Sequence, residues 1–503
     1  MEMQISAHLP TAVDAPAVVV FVMSGESWGA SGGAINTALN GWLDDLRATG
    51  DMSGQAEEVT LLYSRGALPA PRVVLVGLGE ADTVNARVLR RASAAGVQKA
   101  RRAGAVHIAL ALPPDLNLLA VDEVAQAIVE GAVMGLYTYR GQKTGEANGV
   151  TVTTLEIAAA DLDASLVERG AARGRAYAEG ALVTRDLANL PPNICTPAYM
   201  AQRAMEVARA YGMRIEVLEE NQMRALKMGA LLAVAQGSHD RPRFIIMQHN
   251  ADCAEELDTV VLVGKGVTFD TGGYSLKSRD GMIGMKGDMS GGAAVIGAMQ
   301  IVAALDLPLR VVGLVPASDN NVSDRAYRPQ EVITASNGKT IEIISTDAEG
   351  RLLLADALVY ATRYAPAAVV DIATLTGACM VALGNAAAGL FSIDEALRDR
   401  LVQAAEATGE RLWPMPIFDE YRDSLKSLTA DTKNSGARHG GAGVAAAFLS
   451  QFVDYPAWAH IDMAGMMADA EGDPTIPNKG ATGYGARLLA RFVENWSERE
   501  SEG

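Results

Sequence analysis

The chain reads as an α/β protein of two domains, and three observations predict this. Short β-branched runs alternate with helix-like stretches from end to end. Aromatic residues make up only 5% while glycines number 50, a composition suited to helices packed closely on parallel strands. At 503 residues the chain also exceeds what one hydrophobic core ordinarily organises.

The elements follow in order. "APAVVVFVMSG", "RVVLVGLG" and "AVHIALAL" are short apolar runs of strand type, and a helical pattern covers Asn85 to Ala103 between the last two. This βαβ grammar predicts a small, largely parallel α/β domain over residues 1–160. A long helical pattern, residues 161–190, connects it to the rest and stops at Pro191-Pro192, where the ring blocks continuation. The larger domain, residues 191–503, alternates again. Its strands are "IEVL", "TVVLVGKGVTFD", "LRVVGLVPAS", "KTIEIIST", "AAVVDIATL" and one near "WAHIDMAG". Helices are expected from Gly291 to Leu305, from Gly350 onward, and over "YGARLLARFVENW".

Bulk properties exclude several function classes. A formal charge of −17 repels phosphate backbones, so nucleic acid is disfavoured as a partner. The Arg-rich run from Arg90 to Gly104 reads as a solvated helix face. Three separated cysteines without a CxxC suit a reducing compartment. The opening "MEMQISAHLP" lacks the features of a signal peptide, and no apolar run reaches the roughly 18 residues of a membrane span. A cytoplasmic protein without a membrane partner is expected. "VGLGEAD" begins a dinucleotide fingerprint, but Asp82 occupies the third glycine's place and would repel a pyrophosphate, so a nucleotide-linked oxidoreductase is a weak alternative. There is no P-loop, no G-x-S-x-G and no HExxH, and the six histidines are scattered. A metal would have to rest mainly on oxygen ligands.

Two segments carry chemistry. In "VGKGVTFDTGGYSLKSRDGMIGMKGDMSGGAA" a buried-type strand delivers Lys265 at its end. Asp270 and Lys277 follow on glycine-broken loops, and Asp288 precedes a helix. In "KTIEIISTDAEGRLLLADAL" a strand leads to Asp347 and Glu349, two apart and so on one side of an extended chain. Taken alone, this second corner reads more readily as an N-cap with a favourable helix-dipole acid than as part of a metal site. Together, four carboxylates at strand ends would repel one another unless cations neutralise them. Two divalent ions about 3.5–4 Å apart would do so and would lower the pKa of a shared water. Lys265 is then either an ion-pair partner or a neutral amine ligand.

The blocks "VGKGVTFDTGGYSLK", "MKGDMSGGAA", "TDAEGRLLLADAL" and "DIATLTGACMVALG" resemble the leucyl aminopeptidase family of two-metal exopeptidases, in the right order and from about Asn189 to the last helix. The resemblance implies a mixed sheet sandwiched by helices in the larger, catalytic domain. It implies Lys265, Asp270, Asp288, Asp347 and Glu349 as metal ligands, with Glu349 bridging two Mn²⁺ or Zn²⁺ ions. Lys277 and Arg351 fall on the catalytic positions, and Arg351 is expected to hold a bicarbonate that serves as general base. The implied reaction releases N-terminal residues from peptides through a hydroxide bridging the two metals. Met285, Thr374, Gly377, Ala464 and Met467 match the side-chain pocket, an apolar lining that favours Leu or Met. The implied assembly is a homohexamer built as a dimer of trimers. Ser345, Gly287 and Tyr274 depart from the family's usual residues without touching a ligand. Some relatives also bind DNA or act as chaperones; the charge of −17 argues against DNA as the main partner here.

Overall fold

The computed structural model describes residues 1–25, 27–116, 118–145, 149–436, 439–455, 457–468, 472–477 and 479–500. The chain divides into two compact units, Met1–Glu179 with Glu471–Lys479, and Gly180–Ala470 with Gly480–Gly503. The division falls inside one long helix, Ala164–Asn189.

The first unit holds a six-stranded sheet in the order Glu2–Ser6, Thr154–Ala158, His107–Ala111, Ala17–Val22, Arg72–Gly77, Val59–Tyr63. Every neighbouring pair is parallel except the last. Ala17–Val22 is buried along its whole length, as a parallel strand covered on both faces must be. The basic helix Ala86–Arg102 starts on Asn85, whose side chain accepts from the N–H groups of Arg87 and Val88. Its arginines do not form a free patch: Arg90 lies buried beside Glu130, and Arg91 binds Glu57 and Asp473.

The second unit is built on a nine-stranded sheet. Its path runs Leu412–Met415, Ala388–Ser392, Trp458–Asp462, Ala368–Ala373, Thr259–Gly264, Arg310–Asn320, Arg243–His249, Arg214–Leu218. Gly266–Asp270 adds to Arg310–Asn320 off this path. Parallel pairs occupy the centre and antiparallel pairs enter at Ala388–Ser392 and beyond Arg310–Asn320, so the sheet is mixed. The central strand Thr259–Gly264 shows why the sheet is sandwiched. Val260 and Leu262 join one core with the helix Ser290–Ala304, while Val261 and Val263 join the opposite core with the helix Gly350–Ala361. Each such fully buried aliphatic contributes about 1.5–3 kcal/mol.

One local expectation fails. "KTIEIIST" forms a strand only at Thr340–Glu342, in a separate three-stranded sheet with Val332–Thr334 and Thr432–Lys433. Ile343 still bonds the backbone of Gln330 and Glu331, but beyond it the Asn434 side chain accepts the N–H groups of Ile344 and Ser345 at 2.8 and 3.3 Å and takes the chain out of the ladder.

Candidate metal centre

The site lies within the second unit, at the carboxyl ends of its central parallel strands, where α/β sheets place their chemistry. Lys265 follows strand Thr259–Gly264, and its own N–H donates to the carbonyl of Ile372 on the neighbouring strand at 3.1 Å. Asp270 ends the short strand Gly266–Asp270, opposite Asn320. Gly272, at φ +84°, then turns the chain so that Lys277 comes back beside Asp270. No other residue fits there, since a Cβ on Gly272 would lie 2.8 Å from an Asp347 carboxylate oxygen. Asp288 closes a 3₁₀ turn, Met285–Gly287, ahead of the helix Ser290–Ala304. Asp347 and Glu349 sit on a turn rather than on extended chain, and Glu349 is already helical at the head of Gly350–Ala361. They converge because the chain turns, not because it alternates.

The structure brings all four carboxylates and both lysines together. Deep in the site, Lys265 Nζ lies 2.8 Å from Asp288 Oδ1, 2.8 Å from Glu349 Oε1 and 3.0 Å from the Thr374 carbonyl oxygen. Nearer solvent, Lys277 Nζ lies 2.8 Å from Asp270 Oδ2 and 2.6 Å from Asp347 Oδ1. Lys265, Asp270, Asp288 and Glu349 are buried, whereas Asp347 is exposed. Two ammonium groups thus face four carboxylates, leaving two negative charges uncompensated.

The electrostatics record that excess. Burial and the Glu349 charge push Asp270 up to about 6, against the pull of Lys277 and Lys265. Burial, with the charges of Glu349 and Asp270, also drives Asp288 well above the carboxylate range. Burial raises Asp347 too, with Lys277 opposing. Burial would raise Glu349, but Lys265 outweighs it and holds that carboxyl below its ordinary value. Burial works against both ammonium groups, yet the surrounding carboxylates keep Lys265 and Lys277 above the usual lysine value.

These residues fit a divalent cation. Asp270, Asp347 and Glu349 present ligand atoms that all lie within 4.8 Å of one another. The buried Asp288 Oδ2 has no hydrogen-bond partner, an orphan acceptor of the kind a hard cation satisfies. All four donors are carboxylates, which suits oxygen-seeking metals.

Arg351, in the first turn of Gly350–Ala361, is buried and donates from Nη1 to the carbonyl of Asn434 at 2.8 Å, while its Nε has no protein partner. Burial lowers its guanidinium to about 10, opposed by Glu349 and Asp462. It therefore stays charged near neutrality.

The expected pocket residues divide. Thr374 is buried, and its hydroxyl donates to Asp288 Oδ1 at 2.9 Å, so it braces a carboxylate. Met467 lies beside Gly287, where an added Cβ would meet its sulfur at 3.3 Å. Met285 and Ala464 are half-buried. Gly377 is exposed, with open space where a Cβ would stand, at the start of helix Gly377–Leu383. The segments around Gly377 and Ala464 are tied to Asp462, which accepts from the N–H groups of Thr376 and Ala464 at 3.3 Å each.

Sequence reasoning missed several supporting residues. Asn320 Nδ2 donates to Asp270 Oδ1 at 2.7 Å and to the Thr346 carbonyl at 2.9 Å, which also accepts from Tyr327 Oη at 2.9 Å. The Thr346 hydroxyl donates to the Gly272 carbonyl at 2.6 Å and accepts from Ser275 N at 2.7 Å, clasping the two site loops together. The polar run "SDNN" ending an apolar strand was the signal for Asn320. Asn434 carried no local signal. Of the departures noted above, Ser345 does reach a ligand residue, contrary to expectation, because its hydroxyl accepts from the Asp347 N–H at 3.2 Å and so fixes the turn, whereas Tyr274 Oη donates away from the site to the Ser323 carbonyl at 2.9 Å.

A mixed α/β sheet carrying a carboxylate cluster at its strand ends fits a metal-binding α/β protein, and the comparisons with known proteins specify a peptidase. The model for the cytosol aminopeptidase family, catalytic domain, matches residues 182–490, and that for the family's N-terminal domain matches residues 18–146. A probable cytosol aminopeptidase of Roseiflexus castenholzii is 46% identical, over 91% of this chain and 93% of its own. The cytosol aminopeptidase of Pseudomonas aeruginosa is 40% identical, over 98% and 99%. Among solved structures, a mutant of tomato leucine aminopeptidase superposes with a TM-score of 0.88 at 34% identity, over 98% of this chain and 96% of that one. The bottromycin maturation enzyme BotP in complex with Mn gives 0.85 at 34% identity, over 96% and 100%. The chain belongs to the cytosol aminopeptidase family and is a metal-dependent aminopeptidase.

Proposed function

We propose that the protein releases N-terminal residues with apolar side chains, Leu or Met foremost, from peptides, using two divalent ions per chain. The observation that carries this reading is the carboxylate excess: four acids, two lysines, and an orphaned Asp288 oxygen. Lys265, Asp270, Asp288, Asp347 and Glu349 would hold the ions, Glu349 standing between the deep and shallow halves of the cluster. Manganese or zinc suits these donors, and a Mn complex of the structural relative BotP supports the first. When bound, such a pair supplies Lewis acidity and a nucleophile from water at neutral pH.

The chain's own groups do the rest. Lys277, near the opening, donates to the oxygen on which charge develops as the scissile carbonyl becomes tetrahedral, an interaction made mainly in the transition state. Its ammonium form is secured by Asp270 and Asp347. Arg351 holds an anion, bicarbonate in this reading, because a buried cation with a free Nε calls for one. The negative cluster favours a free substrate α-amine, which restricts cleavage to the first peptide bond. Met285, Thr374, Gly377, Ala464 and Met467 would receive the side chain. We also assign a cytoplasmic location, from the relatives' names, and a hexameric assembly; among the described residues no helix is long and apolar enough to cross a membrane.

The test is hydrolysis of leucine amide and of its N-acetyl derivative. Chelation should abolish the first activity, Mn²⁺ or Zn²⁺ should restore it, and the acetylated compound should resist. Undiminished activity without metal, or cleavage of the blocked substrate, would reject the reading.

A further inference from the structure

Thr346 is wholly buried although it sits in an irregular turn, one residue before Asp347. Each of its polar atoms is engaged. Its hydroxyl donates to the Gly272 carbonyl at 2.6 Å and accepts the Ser275 N–H at 2.7 Å. Its own N–H donates to Ser275 Oγ at 3.0 Å. Its carbonyl accepts from Asn320 Nδ2 and from Tyr327 Oη, at 2.9 Å each. The hydroxyl and N–H bonds all run to the loop between Asp270 and Lys277. That loop is closed on itself, since the Lys277 N–H donates to the Thr271 carbonyl at 3.0 Å and the Gly272 N–H to Asp270 Oδ1 at 2.8 Å. Gly273, at φ +61°, lets Thr346 seat against it, because a Cβ there would lie 2.9 Å from the threonine's Oγ1.

Buried backbone groups in a turn need partners, and that need explains why such bonds form. It does not explain where they go. Asp270 and Lys277 lie on one of the segments that Thr346 joins, and Asp347 on the other. Neither Gly272–Ser275 nor Ser345–Ala348 belongs to a strand or helix, so no ladder fixes their spacing. The deep half of the cluster is braced elsewhere. The Lys265 N–H donates to the Ile372 carbonyl at 3.1 Å, and the Thr374 hydroxyl holds Asp288 Oδ1 at 2.9 Å. None of the Thr346 bonds reaches Lys265 or Asp288.

We infer that Thr346 is the positioning residue of the shallow half of the metal centre. It sets the spacing of Asp347 from Asp270, and so the grip on the ion that those carboxylates would share with Glu349. The deep half is braced independently of it. The inference rests on the two-ion reading.

The experiment titrates chelated, metal-free protein with Mn²⁺ and follows bound metal by equilibrium dialysis and by electron paramagnetic resonance. Wild type should bind two equivalents and give the spectrum of a coupled pair. Thr346→Val keeps the side chain's size but leaves the Gly272 carbonyl and the Ser275 N–H without their partner. It should bind the first equivalent as wild type does and the second about 10- to 100-fold more weakly, the usual effect of losing a group that orients a metal ligand. At metal concentrations that just fill the wild type, it should show the six-line signal of a lone ion. Thr346→Ser, which keeps the hydroxyl and gives up a methyl, should restore the second equivalent; a role in packing alone predicts the opposite order. Ser275→Ala, at a half-buried position, removes only the acceptor of the Thr346 N–H and should weaken the second ion by less. It decides the matter if Thr346→Val does not fold. Wild-type affinity for the second ion in the folded variants, equal weakening of both ions, or a serine variant weaker than the valine one overturns the inference. If the wild type itself binds fewer than two ions, the two-ion reading falls and the inference with it.

Discussion

Gly350→Ala is the sharpest perturbation the site offers. Gly350 begins the helix that carries Arg351, and a Cβ there would lie 2.6–2.7 Å from Lys265 Cε, Cδ and Nζ. Ordinary contact begins at 3.4 Å, so the lysine must retreat by about 0.7–0.8 Å. It has nowhere to go, because its Nζ is held by Asp288, Glu349 and the Thr374 carbonyl. Overpacking costs about 1–3 kcal/mol, and removing a helical glycine offsets about 0.5–1 kcal/mol of that. The net penalty is too small to unfold a chain of this size. Activity is another matter, since a shift approaching 1 Å costs up to about a hundredfold when it displaces a reacting group. We expect a folded variant with thermal melting close to wild type, kcat/KM on leucine amide down about 10- to 100-fold, and less metal retained after dialysis. Near-normal kcat/KM with full metal content would show that Lys265 is not held as described.

Two further outcomes follow. Lys277→Met should lower kcat about 100- to 1,000-fold, as loss of an oxyanion donor does, while metal content by elemental analysis holds or rises, because Asp270 and Asp347 lose a competing cation; an unchanged kcat would remove Lys277 from the reaction. Burial pushes Asp356 from 3.8 to about 6, against donation from the Leu231 and Ser336 N–H groups. Its native form therefore binds more protons than the unfolded chain between those values, and the stability it contributes falls as pH rises through that window. Asp356→Asn should flatten this dependence relative to wild type, by at most about 1.4 kcal/mol per pH unit; identical slopes in chemical denaturation would refute it.

Much of this was legible in the sequence, for reasons of period and punctuation. Uniformly apolar, β-branched runs such as Thr259–Gly264, bounded by glycine, fit strands buried on both faces, and the glycines after them break the chain where side chains reach the site. Lys265 and Asp270 stand at such breaks, and Asp288 and Glu349 stand beside glycines just before helices. The geometry of "STDAEG" was not legible, because whether Asp347 and Glu349 alternate or turn is decided by Asn434, far along the chain, taking the Ile344 and Ser345 N–H groups. Asn320, Thr346 and Asp462 were missed for the same reason. Their partners lie on other segments, and a hydrogen bond between distant segments leaves no period in either. Thr374, assigned to a pocket by its place in a motif, has its hydroxyl turned to Asp288.

In the proposed function, the carboxylate cluster takes two cations, and these switch on N-terminal cleavage. Titrating chelated, metal-free enzyme with Mn²⁺, while following leucine amide hydrolysis and bound metal together, tests it directly. We predict that activity rises until two equivalents per chain are bound, and that Asp288→Asn binds fewer and stays inactive. Full activity at one equivalent or none, or wild-type binding by Asp288→Asn, would contradict the account.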